Sequence, residues 1–267
     1  MRNTVRALFV IAVLLSAAAA PVMLAGLDLN GLNGGVEPEP PLQEGRDLYF
    51  DATERFFNES ASLGTIRRQL DRAYQILAGV RSDRLRLYWQ ARASYIAGFV
   101  EREDGREEEA EKRFLLSHSL ATTALAQGEF SEGYRLQADN YAQLMSYNGL
   151  FYRLKYGRQI IELCKRSIEL DSGNVKAHLT LAISYMFAPP IAGGSLNRSI
   201  EILHSLRGVE EMERLDRFAI NAWLGVAYSR RDDLERARRY FRIALNVFPG
   251  NSWMRDQLRE IRTVSSR

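Results

Sequence analysis

From about residue 46 onward the chain shows hardly any alternation of apolar and polar positions. Apolar residues recur instead at three- and four-residue spacing, the period of helices that bury one face. The pattern predicts an all-α protein. Its clearest stretch runs from Asn221 to Pro249, NAWLGVAYSRRDDLERARRYFRIALNVFP, where Leu224 and Gly225 precede Tyr228, and Ala237, Phe241 and Ala244 follow before Pro249. Small Gly225 and Ala237 let two helices approach closely while Leu224, Tyr228 and Phe241 fill the space between them. Pro249 cannot continue a helix interior.

This spacing resembles the tetratricopeptide repeat, a helix-turn-helix of 34 residues with the pattern W-x₂-L-G-x₂-Y, A-x₃-F and P. Asn221 stands where the family favours tryptophan, and Trp223 falls on a different face. The same register recurs upstream. Leu181, Ala182 and Tyr185 pair with Ser199, Leu203 and Leu206 once extra residues between the helices are allowed. Tyr147, Asn148 and Phe151 pair with Ile160, Cys164 and Ser167, and Ala97 and Gly98 pair with Ala110 and Phe114, which leaves Leu125 to Asn140 as a lengthened second helix or connection. Residues 46–80 supply one more pair through Tyr49, Phe56, Ile66, Leu70, Ala73 and Leu77, and Trp253, Met254, Leu258 and Ile261 form a terminal helix that covers the last apolar face. The resemblance implies a right-handed α-solenoid of four to five helix pairs with a C-terminal cap, over residues 46–267.

The N-terminal region differs in kind. Arg2 and Arg6 precede an uncharged run from Ala7 to Leu27 with a Leu/Val/Ile-rich centre and a tract of alanines, the order of a secretory signal. Residues 1–25 are thus expected to be a signal peptide, cut after Ala19, and the protein to be periplasmic or otherwise exported. An uncleaved membrane anchor is the alternative, since the apolar run is long enough to span a bilayer. Residues 26–45, rich in Gly, Pro and acids, read as a flexible linker.

Composition narrows the chemistry. The formal charge of +3 comes from interleaved acids and bases, as in Glu101 to Arg113 and Arg230 to Arg239, which read as solvated helix faces and not as a nucleic-acid stripe. The single cysteine, Cys164, excludes an internal disulfide and occupies the slot that Phe114 and Phe241 fill, so it reads as a buried apolar thiol. His118, His178 and His204 fall on separate repeats without a ligand pair, so no metal is expected. No phosphate loop, dinucleotide fingerprint or nucleophile elbow occurs, so neither a cofactor nor an enzymatic activity is expected.

The resemblance implies that the first helices line a concave surface holding a protein or peptide. On that face the register places Arg92, Tyr95, Phe99 and Arg102; Met145, Tyr152 and Arg153; Lys176, Leu179, Ile183, Met186 and Phe187; and Val226 and Arg230. Apolar and aromatic side chains mixed with bases suit an extended ligand carrying an anionic group. A second resemblance, to the periplasmic repeat proteins that accompany tripartite ATP-independent periplasmic transporters, implies instead an accessory component of an envelope transport system. A closed apolar cavity would favour transport, and an open groove the scaffold.

One segment interrupts the repeats. Between Met186 and Ser195 stands FAPPIAGG, where Pro189 and Pro190 end one helix, Gly193 and Gly194 permit positive φ, and Ser195 or Asn197 caps the next. It reads as an enlarged turn within one repeat that projects Phe187 and Ile191 over a mouth of the groove.

Overall fold

A computed structural model describes residues 39–210 and 212–265, without the side chains of 150, 151, 153, 154 and 262–265. The expected signal peptide and residues 26–38 of the expected linker lie outside the described residues. Eleven α-helices are described: α1 Pro40–Phe57, α2 Leu63–Leu77, α3 Asp83–Glu103, α4 Glu107–Ala126, α5 Ser131–Leu144, α6 Leu150–Leu170, α7 Val175–Phe187, α8 Leu196–Leu206, α9 Arg214–Ser229, α10 Leu234–Val247 and α11 Ser252–Ser265. Among the described residues no strand occurs. Consecutive helices pack as pairs, α1 with α2 through α9 with α10, each pair packs on the next, and α11 covers α10. The architecture is an α-helical solenoid with a terminal cap.

Local chemistry fixes the helix starts. Ser62, Ser82, Asn174, Ser195 and Asp233 each accept a hydrogen bond from the backbone N–H three residues on, satisfying a donor that the first turn leaves open. Close packing within pairs follows the small residues. A Cβ on Gly98 would stand 2.6 Å from the Phe114 ring, and one on Gly225 would overlap the Phe241 ring. Cys164 is fully buried beside Ala138 and Ile160, and burial pushes its thiol well above its ordinary range.

Two boundaries differ from the sequence expectation. The fold begins at Pro40, not near Arg46: Leu42 is buried, and a Cβ on Gly45 would stand 2.5 Å from Leu77. Pro40 and Pro41 are tolerated there because the first helical turn has no partner for their missing N–H groups. The third pair is also framed differently. Its first helix is α5, Ser131–Leu144, in the stretch read as a connection, and positions 147 and 148 lie in the turn before α6. Position 151 belongs to α6. Ala138, not Asn148, is the small residue that packs with Cys164.

The two ends of the solenoid meet. Asn251 Nδ2 donates to the Phe57 carbonyl at 2.9 Å, the Gly250 and Ser252 N–H groups donate to Asn58 Oδ1 and Glu59 Oε1, and Arg214 pairs with Glu54. Phe57 packs against Phe218, and a Cβ on Gly250 would collide with the Asn58 carbonyl. One buried cluster accordingly runs from Leu42 to Ile261.

Candidate partner-binding face

Alternate helices run in the same direction, so neighbouring odd-numbered helices present their N-terminal ends together and their C-terminal ends together. Cross-helix contacts from α3 to α9 obey this register, whereas at the closure the C-terminal Glu54 and Phe57 of α1 meet the N-terminal Arg214 and Phe218 of α9. At the N-terminal ends a buried polar network joins all five helices. The Arg92 guanidinium lies 4.8 Å from the Tyr49 ring and 4.6 Å from the Trp89 ring, and donates to the Tyr49 and Tyr88 hydroxyls. Tyr88 Oη donates to Glu132 at 2.7 Å, and Asn174 Nδ2 donates to the other Glu132 oxygen at 2.9 Å. Arg135, fully buried, pairs with Glu132 and Asp139, and Thr180 Oγ1 donates to Asp139 at 2.9 Å. Lys176 Nζ stands 3.0 Å from Glu213 and 3.3 Å from Asp216.

The electrostatics follow from burial set against pairing. Burial opposes the Glu132 charge, yet Arg135, Lys176 and Arg92 more than offset it and hold that carboxyl below the usual carboxylate range. Burial likewise opposes the Lys176 charge, but Asp216, Glu213 and Glu132 hold its ammonium above the ordinary value. Asp216 goes the other way: burial pushes its carboxyl up to about 6, with Lys176 opposing and Glu213 adding to the rise. The network is an internal structure of paired charges.

The C-terminal ends differ. Arg102 Nη1 donates to Gln143 Oε1 at 2.9 Å and its Nε to the Tyr147 hydroxyl at 3.1 Å, which seals the second and third pairs. Farther along, Phe187 packs edge-on against Trp223 at 5.8 Å and carries the Arg230 guanidinium 4.9 Å from its ring. Trp223 in turn faces Trp253 of α11 at 6.2 Å. The tryptophan that misses the repeat's usual slot therefore joins first helices across the concave face.

The enlarged turn beside Phe187 is built as its residues require. Pro190–Ala192 form a single 3₁₀ turn, Gly193 has φ of 88°, a Cβ on Gly194 would collide with the Ala188 carbonyl, and Ser195 caps α8. Ser195 N also donates to the Tyr185 carbonyl at 2.8 Å, tying the far side of the turn back to α7. Ile191 stands at its tip, 93% exposed.

Most of the predicted groove is thus filled. Arg92, Tyr95, Phe99, Arg102, Lys176, Leu179, Ile183, Met186 and Val226 are buried, Tyr95, Phe99 and Arg102 in part against Phe114 of α4. Phe187 is half-buried and Arg230 exposed. Met145 caps α5, and positions 152 and 153 belong to α6, a second helix, so the register error in the third pair misplaced all three. Tyr152 is half-buried, and the Arg153 side chain lies outside the described ones. Glu132, Arg135, Asp139 and Gln143, which occupy the concave face of α5, escaped sequence reasoning; their three- and four-residue spacing was the available signal. Glu101, read as part of a solvated face, is buried between Arg67 and Arg106. Ile191 stands in solvent and touches neither Phe187 nor Arg230 in any ring or cation contact.

Among the described residues no cluster of His, Cys, Asp and Glu has metal-holding geometry, and no helix is long and apolar enough to cross a membrane.

No family model matches the sequence, and no curated protein matches it. Solved structures do. A thermophilic TPR protein of Thermus thermophilus, TTC0263, is 18% identical with a TM-score of 0.57, over 84% of this chain and 97% of that one. YrrB, described as a TPR protein with an unusual peptide-binding site, aligns over 86% of this chain and 96% of that one, at 13% identity and a TM-score of 0.34. The helix pairing, the glycine-on-phenylalanine contacts and the likeness to the thermophilic protein together give this chain the fold of the tetratricopeptide-repeat proteins.

Proposed function

We propose that the protein is an exported, non-enzymatic scaffold that holds a protein or peptide partner where the C-terminal ends of α7 and α9 meet the 188–194 turn. One observation carries this reading: Phe187 and Arg230, alone among the described side chains predicted for α7 and α9, escape burial, and they form a stacked aromatic-cation pair beside a rigid turn. An aromatic anchor next to a guanidinium supplies apolar contact and orients a carboxylate or carbonyl of a bound segment. Buried charges seal the other end of the concave face, so a partner meets this edge first.

A pull-down from the envelope fraction with the full chain identifies the partner, and titration of that partner then tests the site. Phe187→Ala with Arg230→Ala is expected to weaken its binding about tenfold or more, on the order of the cost of losing one interface anchor, in a variant that stays folded although it melts lower through loss of the Phe187–Trp223 contact. Equal affinity in the folded double variant overturns the site. Export is tested separately: the protein extracted from the envelope is expected to begin close to Ala20, and an intact Met1 in a salt-resistant membrane pellet defeats it. The transport reading called for a closed apolar cavity, whereas the interior here carries paired charges, so no specific observation favours it.

A further inference from the structure

Many arginines of the molecule are paired, and those at the 188–194 turn are, like Arg68 and Arg207, among the exceptions. Arg55, Arg67, Arg86, Arg113, Arg166 and Arg236 each lie within 4.0 Å of a carboxylate. Arg198, Arg230 and Arg231 are exposed and form no ion pair among the described residues: Arg198 lies over the Tyr185 ring, Arg230 over Phe187, and Arg231 bonds the Asn197 amide. Lys155, exposed near the start of α6 at the same end of the solenoid, lies over the half-buried Tyr156 ring and likewise has no acid partner there. Nearby Asp233 is taken by Arg236, leaving Asp232 as the acid next to Arg231 in the chain. The corresponding turn of the second pair is acidic instead, with Asp104 and Glu107.

Amid these cations projects Ile191, the most exposed large apolar residue among those described. Pro189 and Pro190 fix their own φ, and a Cβ at 194 would collide with the Ala188 carbonyl, which constrains the turn that holds Ile191 in solvent. An aliphatic knob on a turn whose adjoining helix ends carry Arg198, Arg230 and Arg231 and the half-buried Tyr185 and Phe187 rings has the chemistry of an interfacial contact: the apolar tip enters the acyl boundary, aromatic rings sit at headgroup level, and the cations meet anionic phosphates. We infer that the rim formed by the 188–194 turn and the adjoining helix ends docks on an anionic lipid surface. Charge complementarity selects this occupant, and the exposed Ile191 tip, which stands apart from the Phe187–Arg230 pair, suits a yielding surface. The inference goes beyond the scaffold reading and does not depend on it.

The processed protein, extracted from the envelope without residues 1–19, is mixed with vesicles of phosphatidylcholine alone or with phosphatidylglycerol added, and binding is read by cosedimentation and by hydrogen exchange over residues 187–198. Binding that requires the anionic lipid, falls in high salt, and slows exchange in that segment is expected. Each cation near such a surface contributes roughly fivefold, so Arg198→Glu with Arg231→Glu should weaken binding roughly twenty-five-fold or more. Ile191→Ser should weaken it severalfold with no change in melting, as an exposed side chain makes no folded-state contacts. Equal binding of these variants, equal binding to neutral vesicles, or unchanged exchange in 187–198 overturns the inference. So does loss of protein-partner capture in the variants with vesicle binding intact, which would make the rim a protein-docking surface.

Discussion

The two ends of the odd-numbered helices carry similar residue types and use them in opposite ways. At the N-terminal ends, Arg92, Arg135 and Lys176 are buried among Glu132, Asp139, Glu213 and Asp216, each tied to a neighbour on another repeat or on its own helix. At the C-terminal ends of α7 and α9, Arg230 and Arg231 remain in solvent with aromatic or amide neighbours. The difference is one of neighbours: adjoining first helices bring opposite charges to the one set, whereas beside the enlarged turn Arg230 and Arg231 meet an aromatic ring and an amide. Charge in the first setting specifies how repeats register. In the second it is available for contact.

The comparison breaks first, and with the largest effect, at Arg135. Removing its guanidinium strands Glu132 and Asp139 as buried carboxylates, and breaking a buried pair by deleting one partner costs about 3–5 kcal/mol. Arg135→Ala should therefore shift the urea midpoint by that equivalent or prevent folding. Arg135→Met combined with Glu132→Gln and Asp139→Leu, which removes charge from both sides, should recover much of the loss. A single variant as stable as the parent would mean that water reaches this site.

Gly225→Leu comes next. The residue would overpack against Phe241 inside a pair, at about 1–3 kcal/mol by thermal or urea unfolding. This contact was legible in the sequence, because the Leu-Gly…Tyr…Ala…Phe spacing encodes a close approach of two helices that neighbours do not alter. The α5 helix was not legible for the converse reason. Its glycine, Gly133, packs against Phe130 at its own N-cap and Leu125 of α4 and not against a phenylalanine of the partner helix, its small position is Ala138 against Cys164, and its concave stripe of Glu132, Arg135, Asp139 and Gln143 has the composition of a solvated surface. Only the packing of α3 and α7 on either side makes that stripe interior. The groove was misread for the same reason: periodicity places Arg92 and Lys176 on the concave face correctly, but cannot tell whether that face is open.

Asp216 sharpens the comparison through pH. Its carboxyl titrates near 6 in the fold and near the ordinary aspartate value of about 3.9 when unfolded. A folded pKa raised in this way means that the native state binds the extra proton, so this contribution is fully present below about pH 4 and is lost as pH rises through 6. Glu132 has the opposite sign: its depressed folded pKa contributes stability at neutral pH that is lost as pH falls below the unfolded value. The informative quantity is consequently the difference between the parent and Asp216→Asn. The variant should lose the falling slope between about pH 4 and 6, a change on the order of 1–2 kcal/mol across that window. Urea midpoints at several pH values measure it, and superimposable profiles would place Asp216 in contact with water.

The smallest expected effect tests the other end. If the cations beside the enlarged turn are kept for contact and not for folding, Arg198→Ala, Arg230→Ala and Arg231→Ala should each change stability by no more than about 0.5 kcal/mol, as surface substitutions away from buried networks do. The limit is strictest for Arg230, whose guanidinium stacks on Phe187. An exposed cation-π contact is worth about 0.5–1 kcal/mol, so the loss should fall at the low end of that range if the stack is solvated. Melting of the three variants against the Phe187→Ala variant separates the cases. A destabilisation by Arg230→Ala as large as that from Phe187→Ala would make the pair a strut between α7 and α9, and the two ends of the helices would then differ in degree and not in purpose.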